Sequence, residues 1–316
     1  MSVVAVLKGG RSLERQVSLK SGARVEDALR RLGHQVQPID VGEDLVTRLT
    51  EAAPEVAFVA LHGRDGEDGT VQELLELLAI PYTGSSVAAC ATASDKVLAK
   101  LAMQRAGIPT PDFFSFNETA FSALGAGQAL PAAESRLRFP IVVKPAAQGS
   151  ALGIKFARAH ADVPAALVAA FSYDRKVLLE RYIRGRDLAV SILEQPDGTP
   201  LALPIVEAVP EQEDFYDFEA RYEIGRTRFV CPAELDPELA ARAQQIALDA
   251  FALIGCSGFA RVDLMLAEDD SELHVLELDV IPGLTETSLL PQAADAAGIS
   301  FDELIGRILH AVKPGL

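Results

Sequence analysis

Ala260-Arg261-Val262-Asp263-Leu264-Met265-Leu266, then, after a short gap, His274-Val275-Leu276-Glu277-Leu278-Asp279-Val280-Ile281-Pro282-Gly283, is the stretch on which the reading of the chain turns. Both halves alternate apolar and polar residues, the period of a half-buried strand. The polar run Glu268-Asp269-Asp270-Ser271 between them predicts a hairpin. Residues two apart on a strand share a face. Arg261 and Asp263 therefore point one way, and Glu277 and Asp279 share a face in the same manner. If the two faces coincide, three carboxylates and a guanidinium converge. Carboxylates that close repel unless a cation lies between them. Oxygen donors with no Cys or His among them suit Mg²⁺ carrying nucleotide phosphates. The competing reading is a solvated strand face, where alternating charge is ordinary, and spacing alone does not decide between the two.

Working outward, 316 residues predict two or three lobes around sizeable cores. Hydrophobic residues at 49% and charged residues at 23% describe a globular chain rather than a disordered one. A net charge of −16 argues against nucleic acid or an anionic membrane as partner, since both call for a basic footprint. The odd set Cys90, Cys231 and Cys256 matches no zinc or redox spacing and predicts reduced thiols in a cytoplasmic protein. No signal peptide and no apolar run of spanning length are expected.

Toward the N-terminus, Val3 to Leu7 reads as a buried parallel strand, Val36 to Asp40 as an edge strand and Val56 to Leu61 as a third. Helical patterns between them predict a small doubly wound lobe. Gly9-Gly10 is not a dinucleotide fingerprint and reads as a tight turn. Glu14 falls at the carboxyl end of the first strand, where open α/β sheets bind ligands. His62 opens a second such loop, Gly63 to Gly69, and reads equally as a carboxylate-orienting group or as loop packing. A helix over Val71 to Leu78 is expected with Thr70 as its cap. Asp95-Lys96 lies in a helix ending before Gly107, and residues 116–136 read as a loose helix and connection.

Further on, Phe139 to Pro145 predicts a strand with Lys144 at its end. A glycine-containing turn follows, then a strand from Ile154 to Phe156. Backbone N–H groups in such a turn can close over phosphates, although the segment is not a Walker A loop. The polar, aromatic run Phe215 to Tyr222 has the look of a lid. Helices are expected over Ala161 to Phe171, Leu235 to Ile254 and Phe301 to Val312, and a loop over Gly283 to Pro291.

These motifs together resemble the D-alanine–D-alanine ligases of the ATP-grasp superfamily. The match runs from Val4 to about Leu309. It is carried by Gly9-Gly10-Arg11-Ser12-Leu13-Glu14, Leu61-His62-Gly63 through Gly69-Thr70, Pro81-Tyr82-Thr83-Gly84-Ser85, Asp95-Lys96, Val143-Lys144-Pro145 with Gly149-Ser150, Phe215 through Tyr222, Arg261-Val262-Asp263, and Pro282-Gly283 through Pro291. The resemblance implies an α/β (α+β) ATP-grasp fold in three lobes. These are an N-terminal doubly wound parallel sheet over residues 1–95, a central ATP-grasp subdomain over 96–184, and a C-terminal subdomain over 185–316 with lid and metal site. It implies joining of two D-alanines through an acyl phosphate for peptidoglycan precursors. ATP would be co-substrate, with two Mg²⁺ (or Mn²⁺), in a cytoplasmic homodimer.

By position, Lys96 and Lys144 would contact phosphates. Glu180, Arg181, Tyr182 and Ile183 would form the adenine hinge, Asp187 would stand at the ribose, and Arg221 would also face the nucleotide. Asp263, Glu277 and Asp279 would hold the metals. Arg261 and the Gly283 N–H would stabilise the tetrahedral oxyanion. Glu14 would bind the first substrate's amine, in a network with Ser150 and Tyr222. His62 would lie near the first D-alanine, and Ser288-Leu289 would hold the second substrate's carboxylate. Several positions depart from the family's usual pattern. Asp279 replaces asparagine, Ala151 a serine, Arg181 and Arg221 lysines, and Asp187 a glutamate. They leave open a ligase for another D-amino acid pair, or a catalytically weak relative that binds ATP or D-alanine.

Overall fold

The computed structural model describes residues 1–210, 227–269 and 271–312. In the N-terminal lobe the apolar run becomes β1 (Val3–Lys8), followed by α1 (Arg15–Arg31), β2 (Gln35–Asp40), α2 (Leu45–Ala52), β3 (Val56–Val59), α3 (Thr70–Leu77) and α4 (Val87–Ser94). The three strands form a parallel sheet in the order β2-β1-β3, which leaves Pro38 on an edge as expected. Thr70 is the first helical residue of α3 rather than its cap, a place Gly69 takes at φ 98°.

Helix α5 (Lys96–Ala106) starts on the side chain of Asp95, which accepts from the Val97 and Leu98 N–H groups, and stops at Gly107 in the left-handed region. Then come β4 (Phe113–Asn117), α6 (Glu118–Ala123), α7 (Leu130–Leu137), β5 (Ile141–Pro145), β6 (Lys155–Ala157), α8 (Val163–Phe171) and β7 (Lys176–Arg181). Their strands pair antiparallel in the order β4-β7-β5-β6. Strand β4 begins before the connection expected from residue 116. It is a short edge strand exposed on alternate positions, so its apolar signal is weak. Ile154 belongs to the turn before β6, its N–H donating to the Ala151 carbonyl.

The C-terminal lobe runs through β8 (Gly185–Glu194), β9 (Pro200–Ala202), β10 (Val206–Pro210), β11 (Thr227–Val230), α9 (Pro237–Ile254), β12 (Phe259–Ala267), β13 (Leu273–Asp279), α10 (Leu289–Ala296) and α11 (Phe301–His310). Strands β11-β10-β8-β12-β13 lie side by side, with β9 paired to β8. The loop expected over Gly283 to Pro291 ends inside α10. Pro291 sits in that helix's first turn, where its missing N–H has no intrahelical partner to lose.

Packing divides the molecule differently from the chain. One apolar cluster joins the N- and C-terminal lobes, from Val4 and Leu29 through Met103 to Val262 and Ile308. The central lobe has its own cluster, built on Ile141, Val143, Leu167, Val177 and Leu179. The opposite face of the central sheet, carrying Leu178, meets Val97 of α5 in a small separate group.

Candidate active site

The opening hairpin forms as its alternation predicts, with Arg261 opposite Asp279 and Asp263 opposite Glu277. Cross-strand partners share a face, so the three carboxylates and the guanidinium do converge. Arg261 is buried. Its Nε donates to Asp263 Oδ1 at 2.6 Å, one terminal nitrogen to Asp263 Oδ2 at 3.0 Å, and the other lies 3.2 Å from Asp279 Oδ2. Burial opposes its charge, but the surrounding carboxylates outweigh that and hold its pKa above the usual arginine range. Glu277 is met from α5 by Lys96 Nζ at 3.1 Å. Lys96 Nζ also donates to the Gln148 carbonyl at 2.9 Å, tying α5 to the turn between β5 and β6.

The donor set on this face is carboxylate oxygen, which fits a hard divalent cation. As the side chains stand they are turned toward Arg261 and Lys96. Among the described residues no three His, Cys, Asp or Glu groups are gathered as metal ligands.

Glu14 holds the N-cap position of α1 and is 5% exposed. Its Oε2 accepts from Ser150 Oγ at 2.5 Å, a bond between the N-terminal and central lobes. Gly63 and Gly149 make room for it: a Cβ on either would stand 2.9 Å and 2.6 Å from Glu14 Oε1. Burial raises the Glu14 carboxyl to about 7, the charge of Glu67 adds to the rise, and the Ser150 hydroxyl works against it.

His62 is buried with both ring nitrogens engaged, Nδ1 3.0 Å from the Ile281 carbonyl and Nε2 3.0 Å from Ser21 Oγ. A carbonyl only accepts, so Nδ1 carries the proton. Burial pushes the His62 pKa down, so the ring is neutral and Nε2 accepts from the Ser21 hydroxyl. Ser21 Oγ in turn accepts from the Leu284 N–H at 3.1 Å, and Arg24 donates to the Leu284 carbonyl at 2.6 Å. His62 and α1 thus clamp the Ile281 to Leu284 turn from both sides, fixing the intervening Gly283. A Cβ on Gly283 would stand 2.7 Å from Ser288 Oγ. Ser288 is the N-cap of α10 and Leu289 its first residue. The Ser288 hydroxyl accepts from the Thr285 N–H at 3.0 Å.

One cavity is lined by Glu14, His62, Lys96, Ser150, Arg261, Glu277, Asp279, Gly283, Ser288 and Leu289. Asp263 and, among the described residues, the other expected nucleotide-side residues do not line it. Lys144 and Glu180 are buried as an ion pair at 2.5 Å on the central sheet's inner face. Arg181 is exposed, Tyr182 meets Phe156 edge-on at 5.6 Å between ring centres, and Ile183 is buried. Asp187 lies in β8, opposite Ala208 and Met265. Tyr222 and Arg221, with the expected lid, lie outside the described residues.

Sequence reading did not single out Ser21, Glu67 or Lys100 as site residues. Glu67 lines the cavity 3.6 Å from His62 Nδ1, and burial, then the charge of Asp279, pushes its carboxyl well above the ordinary range. Its place in the Gly63 to Gly69 loop was the available signal. Ser21 and Lys100 sit within helical patterns that look like their neighbours.

The family model described as D-ala D-ala ligase C-terminus matches residues 102–310, and the one described as D-ala D-ala ligase N-terminus matches 46–85. A D-alanine–D-alanine ligase of Syntrophotalea carbinolica is 46% identical over 306 residues, covering 97% of this chain and 94% of that protein. One of Moorella thermoacetica is 42% identical, covering 98% and 99%. Among solved structures, the D-alanine–D-alanine ligase of Bacillus anthracis complexed with ATP superposes with a TM-score of 0.82 at 32% identity, covering 98% of this chain and 97% of that one. A further structure of the Bacillus anthracis ligase gives a TM-score of 0.83 at 34% identity. Matched in both halves, and over nearly its whole length by relatives of this identity, the chain belongs to the D-alanine–D-alanine ligase family.

Proposed function

We propose that two D-alanines are joined in the cavity between Glu14 and the β12–β13 hairpin. The protein is an ATP-dependent ligase forming D-alanyl-D-alanine, the dipeptide of peptidoglycan precursors. The observation that carries the placement is convergence: Glu14, Lys96, Ser150, Arg261, Gly283 and Ser288 come from separate segments to line one cavity.

In this reading Glu14 receives the ammonium of the first D-alanine, its carboxylate oriented by the Ser150 hydroxyl. An ammonium there favours the charged carboxylate and pulls its pKa back down. The substrate's carboxylate attacks the γ-phosphate of ATP and displaces ADP, and Lys96 meets the phosphate charge. The second D-alanine, its amine deprotonated, then attacks the acyl phosphate, and the tetrahedral intermediate collapses with release of inorganic phosphate. Arg261, kept cationic and fixed by two aspartates, and the Gly283 N–H stabilise the oxyanion that develops. The Ser288 hydroxyl and the N-terminus of α10 favour the second substrate's carboxylate. His62, with both nitrogens committed, positions the Gly283 turn beside the first substrate. Tyr222 would complete the Glu14–Ser150 network, and Arg221 would face the nucleotide.

Asp263, Glu277 and Asp279 would hold Mg²⁺, which when bound neutralises phosphate charge. Lys144 would contact the nucleotide, with Glu180, Arg181, Tyr182 and Ile183 at the adenine and Asp187 at the ribose. We infer lobes over 1–95, 96–184 and 185–316, and a homodimer in the cytoplasm, from the family. Among the described residues no helix is long and apolar enough to cross a membrane.

The test is phosphate release from Mg-ATP with D-alanine, beside L-alanine, D-lactate and D-serine, with products identified by mass. Release that needs D-alanine and gives the dipeptide is expected. Turnover with another D-amino acid only would move the assignment to a different product. Silence with all of them, cured by Asp279→Asn, would blame the extra charge at the metal face. Silence that persists with ATP still bound would make the chain a binding relative.

A further inference from the structure

Lys100 lies one helical turn beyond Lys96 on α5 and is 1% exposed. A fully buried lysine is costly and demands a reason. Its Nζ lies 2.7 Å from Glu180 Oε2 and 5.5 Å from the centre of the Phe113 ring, and it donates to the Thr110 hydroxyl. The other Glu180 oxygen is taken by Lys144 at 2.5 Å. Two buried lysines therefore share one carboxylate; the charge of Glu277 also reaches Lys100, but Glu277 has its own cation in Lys96, so one positive charge is in surplus. Burial lowers the Lys100 pKa to about 8, which leaves it largely protonated at neutral pH. A carboxylate needs a single cation for neutrality, so the second must answer to something else.

The two lysines are held differently. Lys100 has a second tie across the cleft between lobes. The Thr110 hydroxyl that accepts from it donates to the Val275 carbonyl at 2.8 Å, and Val275 N–H donates to the Pro109 carbonyl at 2.8 Å. Val275 is on β13, two residues before Glu277. Lys100 thus joins the central sheet at Glu180 to the strand that carries the carboxylate face. Lys144 stands near the end of β5, just before the turn whose Gln148 carbonyl holds Lys96. Among the described residues its ion-pair partner is Glu180.

We propose that Lys100 is a positioning residue, the fixed counter-ion of Glu180, whose presence frees Lys144 to turn to the anionic nucleotide. With Lys100 in place, Lys144 leaves behind a neutral Lys100–Glu180 pair. Without it, departure of Lys144 strands a buried carboxylate, so Lys144 stays. The surplus positive charge is what an incoming anion neutralises. The proposal rests on the reading that Lys144 contacts the nucleotide.

The experiment is calorimetric titration of full-length enzyme with MgADP, together with steady-state kinetics. Lys144→Met should weaken binding about tenfold, the loss of a charged contact. Lys100→Met leaves the Lys144–Glu180 pair balanced and so folds. It should weaken MgADP by a similar factor of about ten, while KM for D-alanine stays within about twofold. Lys100→Arg should keep affinity near that of the parent. In a Glu180→Gln background, where Lys144 has no anion to guard, adding Lys100→Met should cost less than about twofold. The proposal is overturned if Lys100→Met binds MgADP like the parent, or if it costs as much in the Glu180→Gln background as in the parent. If Lys144→Met itself is silent, the reading of Lys144 falls and takes this proposal with it. A Lys144→Met loss with no effect of Lys100→Met overturns the proposal alone.

Discussion

Glu14 and Glu180 are both buried carboxylates, the first lining the cavity and the second on the central sheet, and the protein treats them in opposite ways. Glu14 has a hydroxyl donor and, among the described residues, no cation in an ion pair with it, and burial lifts it to about 7. Glu180 is more deeply buried, at 2% exposure, yet its pKa is lowered. Burial pushes it up, and the charges of Lys100 and Lys144 outweigh that push. Burial alone therefore does not set the charge of a carboxyl; the partners chosen for it do. Glu14 keeps one oxygen, Oε1, without a hydrogen-bond partner among the described residues, the place that the proposed function gives to the substrate's ammonium. Glu180 is ion-paired twice over.

The largest effect that would break this contrast is removal of both lysines. Lys100→Met with Lys144→Met strands the Glu180 charge and should cost about 3–5 kcal/mol in urea unfolding. Adding Glu180→Gln should recover most of it. Glu14 should behave in the reverse sense. Its folded pKa, about 7, lies above the unfolded 4.5, so the folded state binds more protons between them. Stability should fall as pH rises through that window, by about 3 kcal/mol in all. Glu14→Gln should unfold at the same urea concentration as the parent at pH 4 and at a higher one at pH 8. Equal midpoints at pH 8 would show that Glu14 already has a cation.

The same Glu14→Gln variant should lose roughly a hundredfold in kcat/KM for D-alanine, the loss of a charged contact, with MgADP affinity unchanged. Smallest is Ser150→Ala. It removes one donor to the carboxylate, should cost about tenfold in kcat/KM, and should move the upper edge of the Glu14 stability window to higher pH, since the hydroxyl holds that pKa down. An unmoved edge would mean that the 2.5 Å bond does not favour the charged carboxylate.

These two glutamates also mark how far the sequence could be read. The hairpin was legible because alternation and a short turn fix which side chains share a face, and Arg261, Asp263, Glu277 and Asp279 meet as their spacing requires. Glu14 was legible as a loop residue at a strand's carboxyl end, but its partner Ser150 is 136 residues away, and only the resemblance joined them. Lys100 was not legible. It occupies an ordinary position on an ordinary helix, and its importance comes from a partner 80 residues on and a carbonyl farther still. Strand β4 and helix α10 were missed for local reasons, a half-exposed edge and a proline that the first helical turn tolerates.

The division of the core into two clusters has a consequence for how the molecule opens. The central lobe shares little apolar packing with the rest, while the N- and C-terminal lobes are one cohesive body. Amide exchange should therefore release β5 to β7 as a separate cooperative unit at a lower free energy than β1 or β12. The stitch from Glu180 through Lys100 and Thr110 to Val275 fastens that unit's edge to the larger body. A nucleotide bound along this edge would slow exchange across the whole central sheet, including amides it never touches.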